Sequence, residues 1–360
     1  MGRARVMSTP ADTAIRVLVV DDSVFNRRSI SDILATGPGI AVVGKAADGE
    51  EALRLVNTLK PDAITLDLEM PRMDGFTFLR ILMTKMPTPV IVVSSYSQKE
   101  NVFKALELGA LDFVAKPDRY SDPDLGAIRD ELVRKVMLAK SVRRFAGITA
   151  RRAPDVALAS AAEPVSAPSA GPPKHVVAIG SSTGGPSALM EIFARFPQRY
   201  PHAVVIAQHM PDKFTRTFAE RLGRRSALVV GEAQERDTLT AGSAFVCPGR
   251  HCMELEAGAR GILRLRVSPP ADHDRYVPSA DRLLTSVAQV VGRRAVGIIL
   301  TGMGDDGVQG ARAILGAGGV VIAESDATAV VFGMPGSAVR AGVTTMVLPL
   351  PEIADYLAQL

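Results

Sequence analysis

The chain has 360 residues, enough for two domains, and its 47% hydrophobic and 22% charged residues are typical of globular proteins. Its formal charge of +4 comes without a basic run interleaved with aromatic residues, which argues against binding to nucleic acid. The two cysteines are too few for a disulfide framework or a zinc site. No apolar run reaches the about 18–20 residues that span a bilayer, so we expect a cytoplasmic protein without membrane insertion.

The first half alternates buried strands with helices. Residues 1–14 are expected to be a disordered lead-in, and the first domain is expected over 15–146. Its apolar runs predict five strands, at 15–20, 41–45, 63–66, 90–93 and 111–115. Each is followed by a helix, the last of them at 124–145. This (βα)5 rhythm predicts a parallel sheet with helices on its faces.

Polar residues stand where these predicted strands end. The carboxyl ends of parallel strands form one edge of the sheet, where ligands bind in such folds. Three carboxylates, a hydroxyl and a lysine converge there: Asp21, Asp22, Asp67, Ser94 and Lys116. Such a set can hold Mg²⁺ and stabilise phosphoryl transfer to a carboxylate. The alternative, that these residues only cap helices and solvate loops, is disfavoured because all five lie at strand ends.

The first half is similar to the receiver domains of two-component response regulators, through Asp21-Asp22, LDLEMP, PVIVVS and Lys116-Pro117. The resemblance implies that Asp67 accepts the phosphoryl group. It implies Mg²⁺ held by Asp22, Asp67 and the backbone carbonyl of Glu69, with Asp21 in support. It also implies three residues that respond to the phosphoryl group: Lys116 as its partner, Ser94 as the reporting hydroxyl and Phe113 as the switch aromatic.

The composition changes between residues 147 and 173. This stretch is rich in alanine, proline and serine and lacks the large apolar residues that a core needs. It predicts a flexible linker. Basic residues around it are interpreted as a solvated tether rather than a binding patch. The linker would let the first domain dock over the second and release from it.

The second half, 174–360, again alternates apolar strands and helices. The predicted strands are 176–179, 203–207, 228–231, 244–247, 295–300 and 320–323. Residues 262–267 alternate apolar and basic residues, which predicts one arm of an antiparallel hairpin. We therefore expect a doubly wound, mostly parallel α/β sheet with an antiparallel hairpin.

Ser182 lies on a predicted strand-to-helix turn, in the sequence Gly-Ser-Ser-Thr-Gly from residue 180. This matches the G-x-S-x-G elbow, which exposes a serine hydroxyl above the sheet. The backbone N–H of Thr183 is then a natural donor to an oxyanion. The alternative is a glycine-rich turn that binds phosphate or only reverses the chain.

His209 follows the next predicted strand, on the same edge as Ser182. Asp305 and Asp306 follow another strand on that edge, whereas His175 and His202 precede strands and so lie at the opposite edge. Serine, histidine and aspartate on one edge supply a nucleophile, a general base and a carboxylate that orients the base. For His209 alone, a histidine with only a structural role is an equal alternative.

A second class of enzyme fits one stretch of the sequence. Residues 302–307 read G-x-G-x-x-G after a strand, and Glu324 lies about 20 residues further on, as in dinucleotide-binding folds. A nicotinamide-dependent oxidoreductase is therefore an alternative. Two aspartates would, however, face the pyrophosphate, and the motif comes late in its domain.

The motifs IGSSTGGP, QHMP and ILTGMGDDG, in this order behind a receiver and a linker, closely resemble the chemotaxis protein-glutamate methylesterases. The resemblance implies Ser182, His209 and Asp306 as the catalytic triad and Met303 as a further residue lining the oxyanion hole. It implies hydrolysis of γ-glutamyl methyl esters, and in many members of glutamine amides, on chemoreceptors. It further implies activation by phosphorylation from the chemotaxis histidine kinase, with Mg²⁺ in the receiver and no cofactor in the catalytic domain.

Overall fold

The computed structural model describes residues 14–95, 99–116, 125–142 and 171–360 of the chain. The chain divides into two compact units, at residues 153 and 154. The predicted lead-in at 1–14 and the predicted linker at 147–173 lie almost wholly outside the described ranges, as does Pro117, so these boundaries stay predictions. Within the described ranges, every helix is too short or too polar to cross a lipid bilayer.

The first unit is a five-stranded parallel sheet in the order β2-β1-β3-β4-β5, which confirms the (βα)5 prediction. The strands are Ile15–Val20 (β1), Ile40–Ala46 (β2), Ala63–Leu66 (β3), Val90–Ser94 (β4) and Asp112–Ala115 (β5). The helices are Val24–Ala35 (α1), Gly49–Leu59 (α2), Gly75–Lys85 (α3), Lys99–Glu107 (α4) and Leu125–Val142 (α5). The strands β3, β4 and β5 are buried throughout, as expected where helices cover both faces of a sheet.

The second unit is built on a seven-stranded parallel sheet in the order β14-β13-β12-β6-β7-β9-β8. Its strands are Val176–Ser181 (β6), Ala203–Gln208 (β7), Val229–Glu232 (β8), Ser243–Val246 (β9), Ala295–Ile299 (β12), Val320–Glu324 (β13) and Met346–Leu348 (β14). Its helices are Gly185–Phe193 (α6), Asp212–Arg225 (α7), Ala280–Val291 (α8), Val308–Gly316 (α9), Met334–Arg340 (α10) and Leu350–Gln359 (α11). The edge strand β14 has no counterpart in the prediction, because three residues are too few to show a pattern.

The predicted hairpin is present as a separate two-stranded antiparallel sheet of Cys252–Ala257 (β10) and Leu263–Ser268 (β11). Leu255 and Leu265 pair across it and join the hydrophobic core that includes α8. Alternate residues of β11 are exposed arginines, which explains the alternation in the sequence. The fold class predicted from the sequence, a doubly wound parallel sheet with a hairpin, is confirmed.

The order of the second sheet reverses beside β6. The chain runs from β6 to β7, then to the edge strand β8 and back to β9 between β7 and β8, and later crosses to the other side of β6 to form β12, β13 and β14. In doubly wound sheets a crevice opens at the carboxyl ends of the strands at this reversal. The loops after β6, β7 and β12 therefore meet at one place.

Candidate functional site

The acidic residues of the first unit meet at the carboxyl edge of its sheet. One carboxylate oxygen from each of Asp21, Asp22 and Asp67 lies within 4.8 Å of the other two. Lys116 Nζ contacts Asp21 Oδ2 at 2.8 Å and Asp67 Oδ2 at 2.6 Å. Asp21 and Asp67 are buried, whereas Asp22 is exposed. Four of the five residues predicted for this edge thus share one small volume.

This cluster carries more negative than positive charge. Burial raises the pKa of Asp67, and the Asp21 carboxylate adds to the rise while Lys116 opposes it. Burial also disfavours the charged form of Lys116, but Asp67 and Asp21 outweigh it and raise the lysine pKa. Asp22 and Glu69 line one cavity beside the cluster. Carboxylate and carbonyl oxygens are the ligands that Mg²⁺ prefers, so the donor set fits this ion.

Ser94 and Phe113 lie on the two strands beside this cluster. Ser94 is fully buried at the end of β4, and its carbonyl accepts a hydrogen bond from the Lys116 backbone N–H at 2.7 Å. Phe113 is buried on β5, with its ring edge-on to Phe103 at 6.2 Å between centroids. Ser94 thus contacts Lys116 through the backbone, and Phe113 lies on the strand that leads to Lys116; the roles of both stay predictions.

Ser182 lies where β6 ends, at the reversal of the second sheet. Its backbone N–H donates to the Thr301 carbonyl at 3.0 Å, and its own carbonyl accepts from the Gly185 N–H at 2.8 Å, which closes the turn into α6. Gly184 has φ +80°, a conformation that favours glycine. A Cβ at Gly302 would lie 2.8 Å from Ser182 Cβ, so only glycine lets the loop after β12 approach the serine this closely. The serine side chain is partly exposed.

His209 lies beside Ser182 because β6 and β7 are paired in parallel register. Ser181 pairs with Gln208, and the His209 N–H donates to the Ser181 carbonyl at 3.0 Å. His209 Nε2 contacts Asp306 Oδ2 at 2.8 Å. The other ring nitrogen, Nδ1, is then the one that can accept a proton from a nucleophile. No described residue forms a hydrogen bond with the Ser182 hydroxyl, and catalytic hydrogen bonds are often long in structures without substrate.

Asp306 is held by the first turn of a helix. Its Oδ2 accepts the Ala280 N–H at 2.8 Å and its Oδ1 accepts the Asp281 N–H at 2.9 Å. These are the first two residues of α8, whose unpaired N–H groups favour a negative charge. The structure therefore selects Asp306 rather than Asp305 as the partner of His209. Asp305 is exposed and contacts Tyr276 and Arg275 instead.

The residues predicted for the oxyanion hole lie on the two loops around Ser182. Thr183 is buried, and its carbonyl accepts a hydrogen bond from Thr301 Oγ1 at 2.9 Å. No described residue accepts a hydrogen bond from the Thr183 backbone N–H. Met303 directly follows Gly302 and its side chain is 42% exposed. These positions are compatible with the predicted roles.

Two further residues of the site, Tyr276 and Gln208, could not be singled out from the sequence. Tyr276 stacks on the His209 imidazole, with ring planes 5° apart and centroids at 5.3 Å, and its hydroxyl donates to Asp305 Oδ1 at 2.9 Å. Gln208 is fully buried and its amide contacts the turn around Ser182. Tyr276 comes from a loop that no sequence pattern connects with the sheet. Gln208 precedes His209 directly, but spacing alone cannot show where its side chain lies.

The structure also decides between the alternatives. Glu324, the candidate ribose-binding acid, is fully buried and accepts the Thr301 N–H at 2.8 Å, so it cannot contact a ribose. Asp306 within the glycine motif is bound to His209. The dinucleotide interpretation of residues 302–307 is therefore wrong.

The histidines placed at the opposite edge of the sheet are found there. His202 is buried, and its Nδ1 accepts the His175 N–H at 3.1 Å.

Comparison with known proteins agrees with this geometry. Residues 177–357 match the family described as CheB methylesterase, which is about half of the chain. The chain belongs to the CheB methylesterase family. Residues 17–122 match the response regulator receiver domain. As predicted, this CheB family chain thus combines a receiver with an ester hydrolase domain.

The relatives cover both units. A protein-glutamate methylesterase/protein-glutamine glutaminase of Myxococcus xanthus is 48% identical over 350 residues, which are 96% of this chain and 97% of that protein. A protein of the same name from Pyrococcus abyssi is 41% identical over 349 residues, 96% of this chain and 93% of that protein. The crystal structure of the Thermotoga maritima CheB methylesterase catalytic domain matches with a TM-score of 0.50 and 37% identity, over 51% of this chain and 97% of that one. The CheB family membership therefore extends over nearly the whole chain.

Proposed function

We propose that the second unit hydrolyses γ-glutamyl methyl esters on the cytoplasmic helices of chemoreceptors, and that phosphorylation of Asp67 raises its rate. The observation that carries this proposal is the 2.8 Å contact between His209 and Asp306 beside Ser182. The names of the relatives support methyl esters of protein glutamates as the substrate class. We keep the predicted division into a receiver at 15–146, a linker at 147–173 and a catalytic domain at 174–360.

The reaction follows from the three side chains. Ser182 Oγ attacks the ester carbonyl carbon while His209 Nδ1 takes the hydroxyl proton, and Asp306 stabilises the resulting imidazolium. The Thr183 N–H, with Met303 lining the same hole, stabilises the negative carbonyl oxygen of the tetrahedral intermediate. His209 then gives its proton to the departing methoxide, which leaves as methanol. A water molecule repeats these steps on the acyl-enzyme and releases glutamate.

The same chemistry extends to glutamine side chains. His209 then gives its proton to the amide nitrogen of the tetrahedral intermediate as the C–N bond breaks, and the nitrogen leaves as ammonia. Both relatives are named as protein-glutamine glutaminases as well as methylesterases, which favours this second activity. We therefore propose amide hydrolysis at the same serine.

The acidic cluster of the first unit provides the switch. Asp22, Asp67 and the Glu69 backbone carbonyl would hold Mg²⁺, with Asp21 in support, and the ion's charge offsets that of an incoming phosphoryl group. An Asp67 carboxylate oxygen attacks phosphorus, and the leaving group is the imidazole of a phosphohistidine on the chemotaxis kinase. We further propose that Lys116 pairs with the new phosphoryl group and that Ser94 and Phe113 respond to it.

The test uses chemoreceptor membranes that carry labelled methyl esters, with methanol release as the measurement. The full chain should release methanol, and Mg²⁺ with acetyl phosphate should raise the rate. Ser182→Ala should release none while Asp67 still takes up phosphate. Asp67→Asn should keep the basal rate but lose the response to acetyl phosphate. Methanol release by Ser182→Ala at the normal rate would refute the triad, and a full response by Asp67→Asn would refute the switch.

A further inference from the structure

The side chain of Gln208 connects the nucleophile turn with the residue that carries the base. Gln208 ends β7, is 1% exposed, and lies under the turn that follows β6. Its Nε2 donates to the Ser182 carbonyl and to the His209 carbonyl, both at 2.9 Å. We propose that Gln208 is a positioning residue that orients the backbone donor of the oxyanion hole relative to the base. This inference rests on the proposed function.

The orientation follows from the geometry of one peptide group. The Ser182 carbonyl and the Thr183 N–H belong to the same planar trans peptide, so they point in opposite directions. Gln208 Nε2 and the Gly185 N–H, at 2.9 and 2.8 Å, hold this carbonyl toward the interior. The Thr183 N–H must then point away from Gln208, as the proposed oxyanion hole requires. Without the amide, the Gly185 N–H is the one donor among the described residues that is left to the Ser182 carbonyl.

The amide has one orientation that satisfies all of its neighbours. One end of the amide lies 2.9 Å from the carbonyl oxygens of both Ser182 and His209, and only an NH₂ group can donate to both. The opposite end, Oε1, accepts a hydrogen bond from Ser181 Oγ at 2.7 Å. A reversed amide would bring its oxygen against two carbonyl oxygens. The contacts therefore fix both the position and the direction of the Gln208 side chain.

The glycines of the TGGP motif leave space for this amide. A Cβ at Gly185 would collide with Gln208 Oε1, so a side chain there would displace the amide. Gly184 instead provides the positive φ that the turn requires. Gly184 is thus required by its backbone conformation, and Gly185 by the closeness of the Gln208 and Ser181 side chains.

The test compares Gln208→Met, which keeps the length and loses every hydrogen bond, with Gln208→Glu, which keeps the acceptor for Ser181 and loses both N–H donors. We expect kcat for methyl ester hydrolysis to fall about 100-fold in both variants, because small displacements of catalytic groups cost this much. KM should change less than about threefold, because Gln208 does not touch the substrate. An alkylboronic acid, whose adduct with Ser182 places an oxygen in the oxyanion hole, should bind weaker by a similar factor.

The control is Ser286→Ala, which removes a buried hydroxyl that accepts the Leu255 N–H at 2.9 Å on the hairpin side of α8. The variant should keep kcat within about twofold, because the lost hydroxyl stabilises the same unit but does not contact the turn around Ser182. A normal kcat in Gln208→Met, or a loss of kcat with unchanged boronic acid affinity, would overturn the inference. A change in KM alone would also overturn it.

A fluorophosphonate probe separates this inference from the proposed function. The probe reacts with an activated serine whatever the natural substrate is. If the wild-type chain reacts with the probe but releases no methanol, the proposed substrate class fails and the positioning role is still measured by the labelling rate. We expect labelling of Ser182 to slow about 100-fold in Gln208→Met. An unchanged labelling rate contradicts the positioning role.

Discussion

Replacing Asp306 with asparagine tests the carboxylate on which His209 depends. The two oxygens of Asp306 accept hydrogen bonds from three donors: Oδ2 from His209 Nε2 and the Ala280 N–H, and Oδ1 from the Asp281 N–H. Asparagine has one oxygen and one NH₂ group for these two positions. Whichever way its amide turns, the NH₂ group faces a backbone N–H of α8. The variant therefore cannot satisfy every donor.

The expected loss of activity depends on which of the three donors loses its acceptor. With NH₂ near His209, Nε2 must accept a hydrogen bond, so the neutral ring carries its proton on Nδ1 and cannot accept one from Ser182. A histidine held in the wrong tautomer lowers kcat by about 10⁴-fold in a serine protease triad, which corresponds to about 5.4 kcal/mol. With NH₂ near Asp281, the tautomer is kept but the negative charge is lost. In either case one buried N–H loses its acceptor, at a cost of about 1–3 kcal/mol in stability.

We therefore expect Asp306→Asn to lower kcat by about 10³- to 10⁴-fold with little change in KM, and to lower the free energy of unfolding by about 1–3 kcal/mol. Methanol release from labelled receptors measures the first effect and urea denaturation the second. Asp305→Asn is the matched control, because the neighbouring carboxylate contacts Tyr276 and not His209. It should keep kcat within about threefold. A kcat above a tenth of the wild-type value in Asp306→Asn, or an equal loss in Asp305→Asn, would refute the reasoning.

Two further predictions concern Tyr276 and His202. Tyr276→Ala should lower kcat about tenfold because His209 loses the stacked ring that holds its plane, whereas Tyr276→Phe should keep most of the activity; an equal loss in both variants would mean that the hydroxyl contact with Asp305 matters instead. Burial, helped by His175, lowers the pKa of His202 to about 4, from 6.5. As the pH falls, the unfolded chain therefore takes up a proton at His202 at a higher pH than the folded chain does. The free energy of unfolding should keep its full value above pH 6.5 and should decrease as the pH drops toward 4. Urea denaturation of the full chain at pH 7.5 and 5 measures this decrease, which should be smaller in His202→Gln than in the wild type. An equal decrease in the two proteins would contradict the assignment to His202.

The strand ends and the chemistry they carry could be predicted because parallel sheets place them at one edge. Ser182 and His209 follow buried apolar runs, and so do Asp67 and Lys116. Within each unit, the alternation of strands and helices predicts that the side chains at these strand ends lie at one edge of the sheet. For the same reason His202, which precedes a strand, could be placed at the opposite edge.

The choice between Asp305 and Asp306 could not be made from the pattern of strands, since both follow β12, and only the family resemblance predicted Asp306. The structure decides it through the N–H groups that begin α8, which lie about 25 residues earlier in the chain. Contacts of this kind depend on tertiary packing and leave no periodic pattern in the sequence. Tyr276 was missed for the same reason. Gln208 was missed because its role depends on the direction of a side chain and not on its position along a strand.

In the proposed mechanism the oxyanion donor at Thr183 is a main-chain group, the backbone N–H. Among the coded amino acids only proline lacks this N–H, so nearly every substitution at position 183 leaves the donor in place. The side chains that hold the peptide are the parts that mutation can reach. A change in this donor would therefore have to come from the residues that hold the peptide in place, such as Gln208 and Gly185, and not from the loss of the Thr183 side chain.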